Sequence, residues 1–219
     1  MATAPSASSS PSTAVTGDTN TTPPPSSSAV PDASPSPFAA IEFLTVCHHL
    51  KKTKRAGWVT RDVKDPESVA DHMYRMSLMA LIAPDVPGLD RNKCIKMAIV
   101  HDIAEALIGD ITPLDGVSKA DKSEREQAAL EYMCKIIGVG EGSRGKEITE
   151  LWMDYEANSS PEAKFVKDLD KVEMILQALD YEDEQGKDLD EFFCSTAGKF
   201  QTEVGKAWAS EIVSRRSNT

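Results

Sequence analysis

Residues 98–110 read AIVHDIAEALIGD, and this stretch places three ionisable side chains inside an apolar run. The run belongs to a predicted helix over residues 90–108, and its ionisable groups are His101, Asp102 and Glu105. A helix that is apolar on nearly all sides is a buried helix. Because an unpaired charge in a protein core costs several kcal/mol, such groups are either paired or bound to a metal.

The spacing of these three groups allows them to share one ligand. Successive helical residues are about 100° apart, so His101, Asp102 and Glu105 fill one arc of about 100°. The first two point in different directions; we expect that they cannot easily pair with each other but can converge on an atom between them. Imidazole nitrogen and carboxylate oxygen are ordinary ligands of divalent transition metals. The alternative is a core histidine and a core aspartate, each bonded to backbone.

His72 adds weight to the metal hypothesis, because it lies on a second apolar helix, ESVADHMYRMSLMA. A histidine on an apolar stripe is more often a satisfied core residue than a ligand. Two of the four histidines nevertheless lie on apolar helices, whereas His48 and His49 precede a Lys-rich loop and are expected at the surface. Arg75 is expected on the outer face of the His72 helix, as a solvated charge.

The segment FVKDLDKVEM, residues 165–174, offers a further carboxylate ligand. Helical periodicity places Asp168 on the strongest apolar face, with Val172, whereas Asp170 falls beside Lys167. Burial alone therefore favours Asp168 over Asp170.

The chain from residue 38 onward is predicted to be all helix, since no alternating β-branched run suggests a sheet. Asp65 and Pro66 predict a helix start, and an Asp121-x-x-Glu124 pattern resembles a capping box. The predicted helices cover residues 38–50, 65–83, 90–108, 121–138, 146–157 and 161–186, with two shorter helices within 188–215.

The first 37 residues are mostly Ser, Thr, Pro, Ala and Val, with no Lys, Arg or aromatic residue. Such a segment buries too little apolar surface to offset its ordering entropy. We predict a disordered tail over residues 1–37 and one domain over residues 38–219, which is long enough for a core.

Composition also argues against several classes of partner. The net charge is −11, and no stripe of Lys and Arg is present, so we expect no nucleic-acid partner. No apolar run reaches about 18 residues, so we expect no membrane partner. Four cysteines without a CxxC pattern indicate free thiols in a reducing compartment, and hence a cytoplasmic location. The Ser-rich N-terminal segment keeps an organelle as the alternative.

Taken together, His72, His101-Asp102 and a late Asp followed by Lys resemble the H…HD…D pattern of the HD-domain metal-dependent phosphohydrolases. The blocks ESVADH, HDIAEALIGDITP and FVKDLDKVEMILQA resemble the 5′-deoxynucleotidase branch. The resemblance covers about residues 38–215. It implies an all-α HD-domain helical bundle, a divalent metal such as Mn or Co, and a homodimer. We predict that part of the dimer contact lies within residues 188–215 and includes Phe192, Phe193 and Trp208.

The resemblance also implies roles for individual residues. His72, His101, Asp102 and Asp170 match the metal ligands, so the resemblance selects Asp170 where periodicity favours Asp168. The two acidic catalytic positions match Glu105 and Asp110. Arg55 and Trp58 match an Arg and a Trp that contact the nucleotide; these are adjacent in the bacterial form, whereas Ala56 and Gly57 separate them here. Trp58 could equally be a core anchor.

The activity implied by the resemblance is hydrolysis of deoxyribonucleoside 5′-monophosphates to deoxynucleoside and phosphate. We infer a monophosphate because the motifs provide no extra basic residues for a triphosphate. One alternative is an HD phosphohydrolase that acts on a cyclic nucleotide, a dNTP or guanosine tetraphosphate. Another is a nucleotide-binding protein without turnover. The sequence leaves the physiological metal, the base preference and the means of excluding ribonucleotides open.

Overall fold

The structure is a computed structural model that describes residues 34–112 and 115–218. Within these residues the fold is all-α, as predicted, with no strand and one isolated antiparallel bridge between Lys54 and Ser68. A 3-10 turn covers His48–Lys51. The helices are α1 Pro37–Cys47, α2 Ala56–Val59, α3 Val69–Ile82, α4 Arg91–Val100, α5 Glu105–Ile108, α6 Lys119–Ile137, α7 Arg144–Ala157, α8 Pro161–Gln185, α9 Asp190–Thr196 and α10 Glu203–Arg216. Residues 1–33, which make up most of the predicted tail, lie outside the described part.

The 25-residue helix α8 is the centre of the bundle and packs against α3, α4, α7 and α10. It begins with Ser160 as N-cap and Pro161 in the first turn, and ends at Gly186 in the left-handed conformation. These boundaries match the predicted helix. Apolar side chains such as Leu169, Val172 and Ile175 are buried along it. The polar groups on its buried side are therefore held in a rigid frame.

Three predicted helix boundaries are wrong, two of them because another residue caps the helix and one because the helix changes to a 3-10 turn. Helix α3 begins after Ser68, whose side chain accepts from the Asp71 N–H in a capping box. Asp65 instead adopts a positive φ of 47° in the preceding turn. Helix α6 begins after Ser118, whose hydroxyl accepts from the Asp121 N–H. Helix α1 ends at Cys47, where the chain tightens into the 3-10 turn.

The helix predicted over residues 90–108 is broken in the middle, which changes the side-chain directions there. Helix α4 starts after Asp90 as predicted but ends at Val100, and i→i+3 bonds follow, from Ile103 N to Val100 O and from Glu105 N to Asp102 O. Such bonds give about three residues per turn, so the 100° spacing no longer applies. His101 and Asp102 therefore approach each other, contrary to our expectation.

The four cysteines form no disulfide, as predicted. Among the described residues, no helix is long and apolar enough to cross a membrane. Phe193 is buried in the core of its own chain, Phe192 packs against Trp58, and Trp208 packs partly against the core. Phe193 is therefore used within its own chain, whereas Phe192 and Trp208 stay partly exposed, and the dimer contact over residues 188–215 stays a prediction.

Candidate functional site

One cavity of about 1000 Å³ collects most of the residues singled out in the sequence. It is lined by seven of the eight predicted site residues: Arg55, Trp58, His101, Asp102, Glu105, Asp110 and Asp170. The eighth, His72, is fully buried and lies directly behind the cavity wall. The structure thus brings together residues that are more than 100 positions apart in the chain.

Two imidazoles and one carboxylate form the centre of the site. Nε2 of His101 lies 3.1 Å from Oδ2 of Asp102, and Nε2 of His72 lies 3.8 Å from the same oxygen. The two rings are 5.4 Å apart between centroids. One ligand atom from each residue lies within 4.8 Å of the other two. A single cation can therefore contact all three groups.

Asp170 completes this group from helix α8. Its Oδ1 lies 3.3 Å from Nε2 of His72, and its Oδ2 accepts a hydrogen bond of 2.9 Å from the Tyr155 hydroxyl. The ring of Tyr155 also packs on His101, with 5.0 Å between centroids. Tyr155 on α7 therefore orients two of the predicted ligands at once.

The four residues fit a divalent metal because both imidazoles direct a nitrogen without a hydrogen bond in the described chain at the two carboxylates. Nε2 of His72 and Nε2 of His101 are buried and make no hydrogen bond within residues 34–112 and 115–218. The other ring nitrogens are occupied: Nδ1 of His101 donates to the Ala98 carbonyl at 3.0 Å, and Nδ1 of His72 contacts Glu173. Two imidazoles and two carboxylates suit Zn, Mn, Co or Fe.

The electrostatics of the site favour a cation in the same place. Burial and Arg55 lower the pKa of His72, but Glu173 and Asp170 outweigh them and raise it to about 10. Burial raises the pKa of Asp170, but His72 lowers it by more, so this carboxyl is ionised well below its usual range. Without a metal, a proton on His72 balances the carboxylates. A divalent cation would displace that proton.

Asp168, the residue favoured by periodicity, lies elsewhere. Its Oδ2 accepts hydrogen bonds from the Gln201 N–H, the Thr202 N–H and the Thr202 hydroxyl, at 2.7–2.9 Å. Its Oδ1 contacts Lys171 at 3.1 Å. Asp168 is buried because it holds the chain that enters α10, so its position on the apolar face reflects a structural function.

We therefore expect two alanine substitutions on α8 to affect different properties, stability in one case and metal affinity in the other. Asp168→Ala leaves buried N–H groups unsatisfied and should destabilise the domain by about 2–4 kcal/mol, lowering Tm by about 5–15 °C, with metal affinity retained. Asp170→Ala should lose metal affinity with a smaller change in Tm. Thermal unfolding and titration calorimetry on both variants would measure this. Retained affinity in Asp170→Ala, with loss in Asp168→Ala, would reverse the assignment.

Glu105 is an acidic group placed beside the proposed metal ligands. It is 3 % exposed, and its Oε2 has no hydrogen-bond partner within the described chain. Burial, with the charges of Asp102 and Asp110, raises its pKa to about 10. The carboxyl therefore holds a proton at neutral pH when no cation is bound. An unpaired, protonated carboxyl on a cavity wall can donate that proton to a bound ligand.

Asp110, in the loop after α5, forms a hydrogen bond to the first residue of helix α2. Gly109 has φ 76° and ψ 174°, a conformation that favours glycine, and it turns the chain so that Asp110 faces the cavity. Oδ2 of Asp110 accepts a 2.8 Å hydrogen bond from the Ala56 N–H. Asp110 thus fixes the start of α2, and the residue before that helix is Arg55.

Arg55 and Trp58 are placed differently by the Ala56-Gly57 insertion, which forms the start of α2. Nη1 of Arg55 lies 3.4 Å from Oδ2 of Asp102, at the edge of the proposed metal site. Trp58 is 2 % exposed, and its Nε1–H donates to Glu67 at 2.9 Å. This geometry favours the core-anchor alternative for Trp58, although part of its ring borders the cavity.

The cavity contains more cationic side chains than the motifs suggested. Four lysines line it in addition to Arg55 and Arg61: Lys119, Lys122, Lys167 and Lys171. Three of them lie near a carboxylate of this chain, at 3.1–3.5 Å. The premise that extra basic residues are lacking is therefore wrong, because α6 and α8 supply basic groups outside the motifs, and the monophosphate substrate needs support from elsewhere.

Sequence reasoning missed Tyr155 and Glu173, which contact the proposed ligands directly. Glu173 is one helical turn after Asp170, so the DKVE spacing could have indicated that both face the same side of α8. Tyr155 has no such sequence signal, because its position depends on how α7 packs against α4 and α8.

Comparison with known proteins yields several matches. A family model described as HD domain matches residues 47–212. The 5′-deoxynucleotidase HDDC2 of Danio rerio is 51% identical over 162 residues, covering 73% of this chain and 79% of that protein. The human protein of the same name is 46% identical over 179 residues, covering 81% and 86%. The crystal structure of the PH0347 protein from Pyrococcus horikoshii OT3 is 36% identical, with a TM-score of 0.65 and coverage of 81% and 98%.

Proposed function

The chain belongs to the HD domain family, and on that basis we propose that it is a metal-dependent 5′-deoxynucleotidase. The reaction would convert a deoxyribonucleoside 5′-monophosphate to deoxynucleoside and phosphate. The observation that supports the proposal is a pair of buried imidazole nitrogens, Nε2 of His72 and Nε2 of His101. These nitrogens have no hydrogen-bond partner in the described chain, and they face the carboxylates of Asp102 and Asp170. The relatives' names supply the substrate class.

The proposed ligands are His72, His101, Asp102 and Asp170, and we propose Mn²⁺ or Co²⁺ as the ion. A divalent cation there would supply Lewis acidity, lowering the pKa of water and offsetting phosphoryl charge. Arg55, 3.4 Å from Asp102, would bind the phosphate oxygens and keep the phosphorus close to this centre.

Glu105 would donate a proton, and Asp110 would help to position the substrate. Hydrolysis joins a water oxygen to phosphorus and breaks the bond to the sugar 5′-oxygen, which leaves with a proton. Oε2 of Glu105 is the proposed source of that proton, because this buried atom has no hydrogen-bond partner within the described chain. Asp110 accepts a hydrogen bond from the Ala56 N–H and would thereby keep Arg55 and the substrate in position.

The test is phosphate release from deoxyribonucleoside and ribonucleoside 5′-monophosphates with added Mn²⁺ or Co²⁺, with EDTA as control. We expect metal-dependent release from the deoxy set and little from the ribo set. Absence of release from either set by protein with bound metal would refute the proposal. Turnover of dNTPs or cyclic nucleotides instead would favour the second enzyme candidate, to which the lysine-lined cavity of about 1000 Å³ lends support.

We also propose that the protein is a homodimer, and exposed apolar side chains outside residues 188–215 offer a further contact surface. Helix α1 exposes Phe38, and α3 exposes Tyr74 and Ile82; these side chains are 67–77% accessible. Large exposed apolar side chains favour a protein partner. A cytoplasmic location, with an organelle as the alternative, stays a prediction, because the segment that would carry a targeting signal lies outside the described residues.

A further inference from the structure

A network of charged side chains lies behind His72, on the side away from the cavity. Arg75 follows His72 by one turn of α3 and does not line the cavity. Its Nε donates to Oε1 of Glu173 at 2.9 Å, and its Nη2 lies 2.7 Å from the same carboxylate. Gln177 also accepts from Nη2, at 2.7 Å, and Asp180 accepts from Nη1, at 3.0 Å. The prediction of a solvated Arg75 is thus wrong, because three residues of α8 hold its guanidinium.

Glu173 connects Arg75 to His72. The Glu173 side chain is fully buried, and its Oε2 lies 2.5 Å from Nδ1 of His72. A carboxylate that accepts from both an arginine and an imidazole requires that Nδ1 carry its hydrogen. Nε2 is then the nitrogen directed at Asp102 and Asp170.

We propose that Arg75 and Glu173 are positioning residues that set the metal affinity of the site through His72. Glu173 fixes the ring orientation and the position of the Nδ1 hydrogen, and Arg75 fixes and neutralises Glu173. Such outer partners of a ligating histidine commonly change metal affinity by about 10–100-fold when removed. The proposal rests on the proposed function, in which Nε2 of His72 binds the metal.

A second metal site on the Nδ1 side is the competing explanation for this network. Ligand atoms of Glu67, His72 and Glu173 do lie within 4.8 Å of one another. However, Glu67 accepts from the Trp58 indole, and Glu173 accepts from the Arg75 guanidinium and faces Nδ1 of His72. A cation there would lie beside a fixed guanidinium charge. The hydrogen bonds favour an orienting function over a second metal site.

The test measures Mn²⁺ and Co²⁺ affinity by titration calorimetry in Arg75→Gln, Arg75→Lys and Glu173→Gln. Glu182→Gln is the matched control, because Glu182 also lies on α8 and pairs with an arginine, Arg216, but contacts no predicted ligand. We expect about 10–100-fold weaker binding in Arg75→Gln and Glu173→Gln. Arg75→Lys should lose less, since it retains the positive charge, and the control should match wild type.

Stability and affinity must be separated, so the titrations are done well below the Tm of each metal-free variant. A purely structural role would lower Tm and leave the affinity of the folded protein unchanged. Wild-type affinity in folded Arg75→Gln would overturn the proposal, even if Glu173→Gln fails to fold. Wild-type protein that binds neither metal would instead count against the proposed function, which is a distinguishable result.

Discussion

Asp102→Ala is expected to reduce phosphate release by about a thousandfold or more, because it removes the carboxylate at which the site converges. One oxygen, Oδ2, lies 3.1 Å from His101, 3.8 Å from His72 and 3.4 Å from Arg55. Loss of a metal that contributes several kcal/mol to the transition state corresponds to a rate change of that size. EDTA treatment of wild type should have a similar effect.

The measurement pairs steady-state phosphate release with titration calorimetry for Mn²⁺ or Co²⁺. Asp85→Ala is the control, since Asp85 is an exposed carboxylate that pairs with Arg91. It should retain wild-type activity and affinity. If Asp102→Ala is folded and binds metal as wild type does, the proposed ligand set is incorrect.

The all-α fold and most of the helices were predictable from the sequence, because apolar periodicity and capping residues are local signals. Ser160, Pro161 and Gly186 mark both ends of α8, and the structure agrees. The break after Val100 was not predictable, because no glycine or proline occurs between residues 98 and 108. It arises where α4 gives way to i→i+3 bonds in a buried segment.

The candidate site was predictable in composition more than in geometry. The resemblance selected Asp170, and the structure places this residue 3.3 Å from His72. Periodicity instead favoured Asp168, because burial on a helix face does not distinguish a metal ligand from a carboxylate that holds a backbone turn. Arg75 was misplaced for a related reason: a helical wheel does not show that α8 extends far enough to cover it.

The contrast between Arg55 and Trp58 shows what a motif leaves undetermined. Both match nucleotide-contacting positions, yet Arg55 reaches the proposed metal site while Trp58 packs against Tyr181 and Phe192. Their directions depend on the short helix α2 and on hydrogen bonds between residues 53–55 and 67–69, such as Arg55 N to Glu67 O. These contacts form between distant residues and have no local sequence signal.

Glu105→Gln is the second substitution for which we expect a large effect, a decrease in kcat of about 10²–10⁴-fold. Glutamine keeps the size of the side chain but cannot transfer a proton. Metal affinity should change little, because Glu105 is not among the proposed ligands. Equal losses of kcat and metal affinity would instead indicate that Glu105 holds a cation, and wild-type kcat would remove it from the catalytic assignment.

The stability of the metal-free protein gives an independent check on the same carboxyl. Because the pKa of Glu105 rises from its usual 4.5 to about 10 on folding, the folded state binds a proton that the unfolded state releases between those values. The contribution of Glu105 to stability is therefore greatest below pH 4.5 and declines as the pH rises towards 10. Glu105→Gln removes this decline. The Tm of the variant minus the Tm of wild type should therefore be larger at pH 8 than at pH 5. Glu131→Gln, an exposed substitution on α6, should show no such difference, and an identical pH dependence in Glu105→Gln and wild type would contradict the raised pKa.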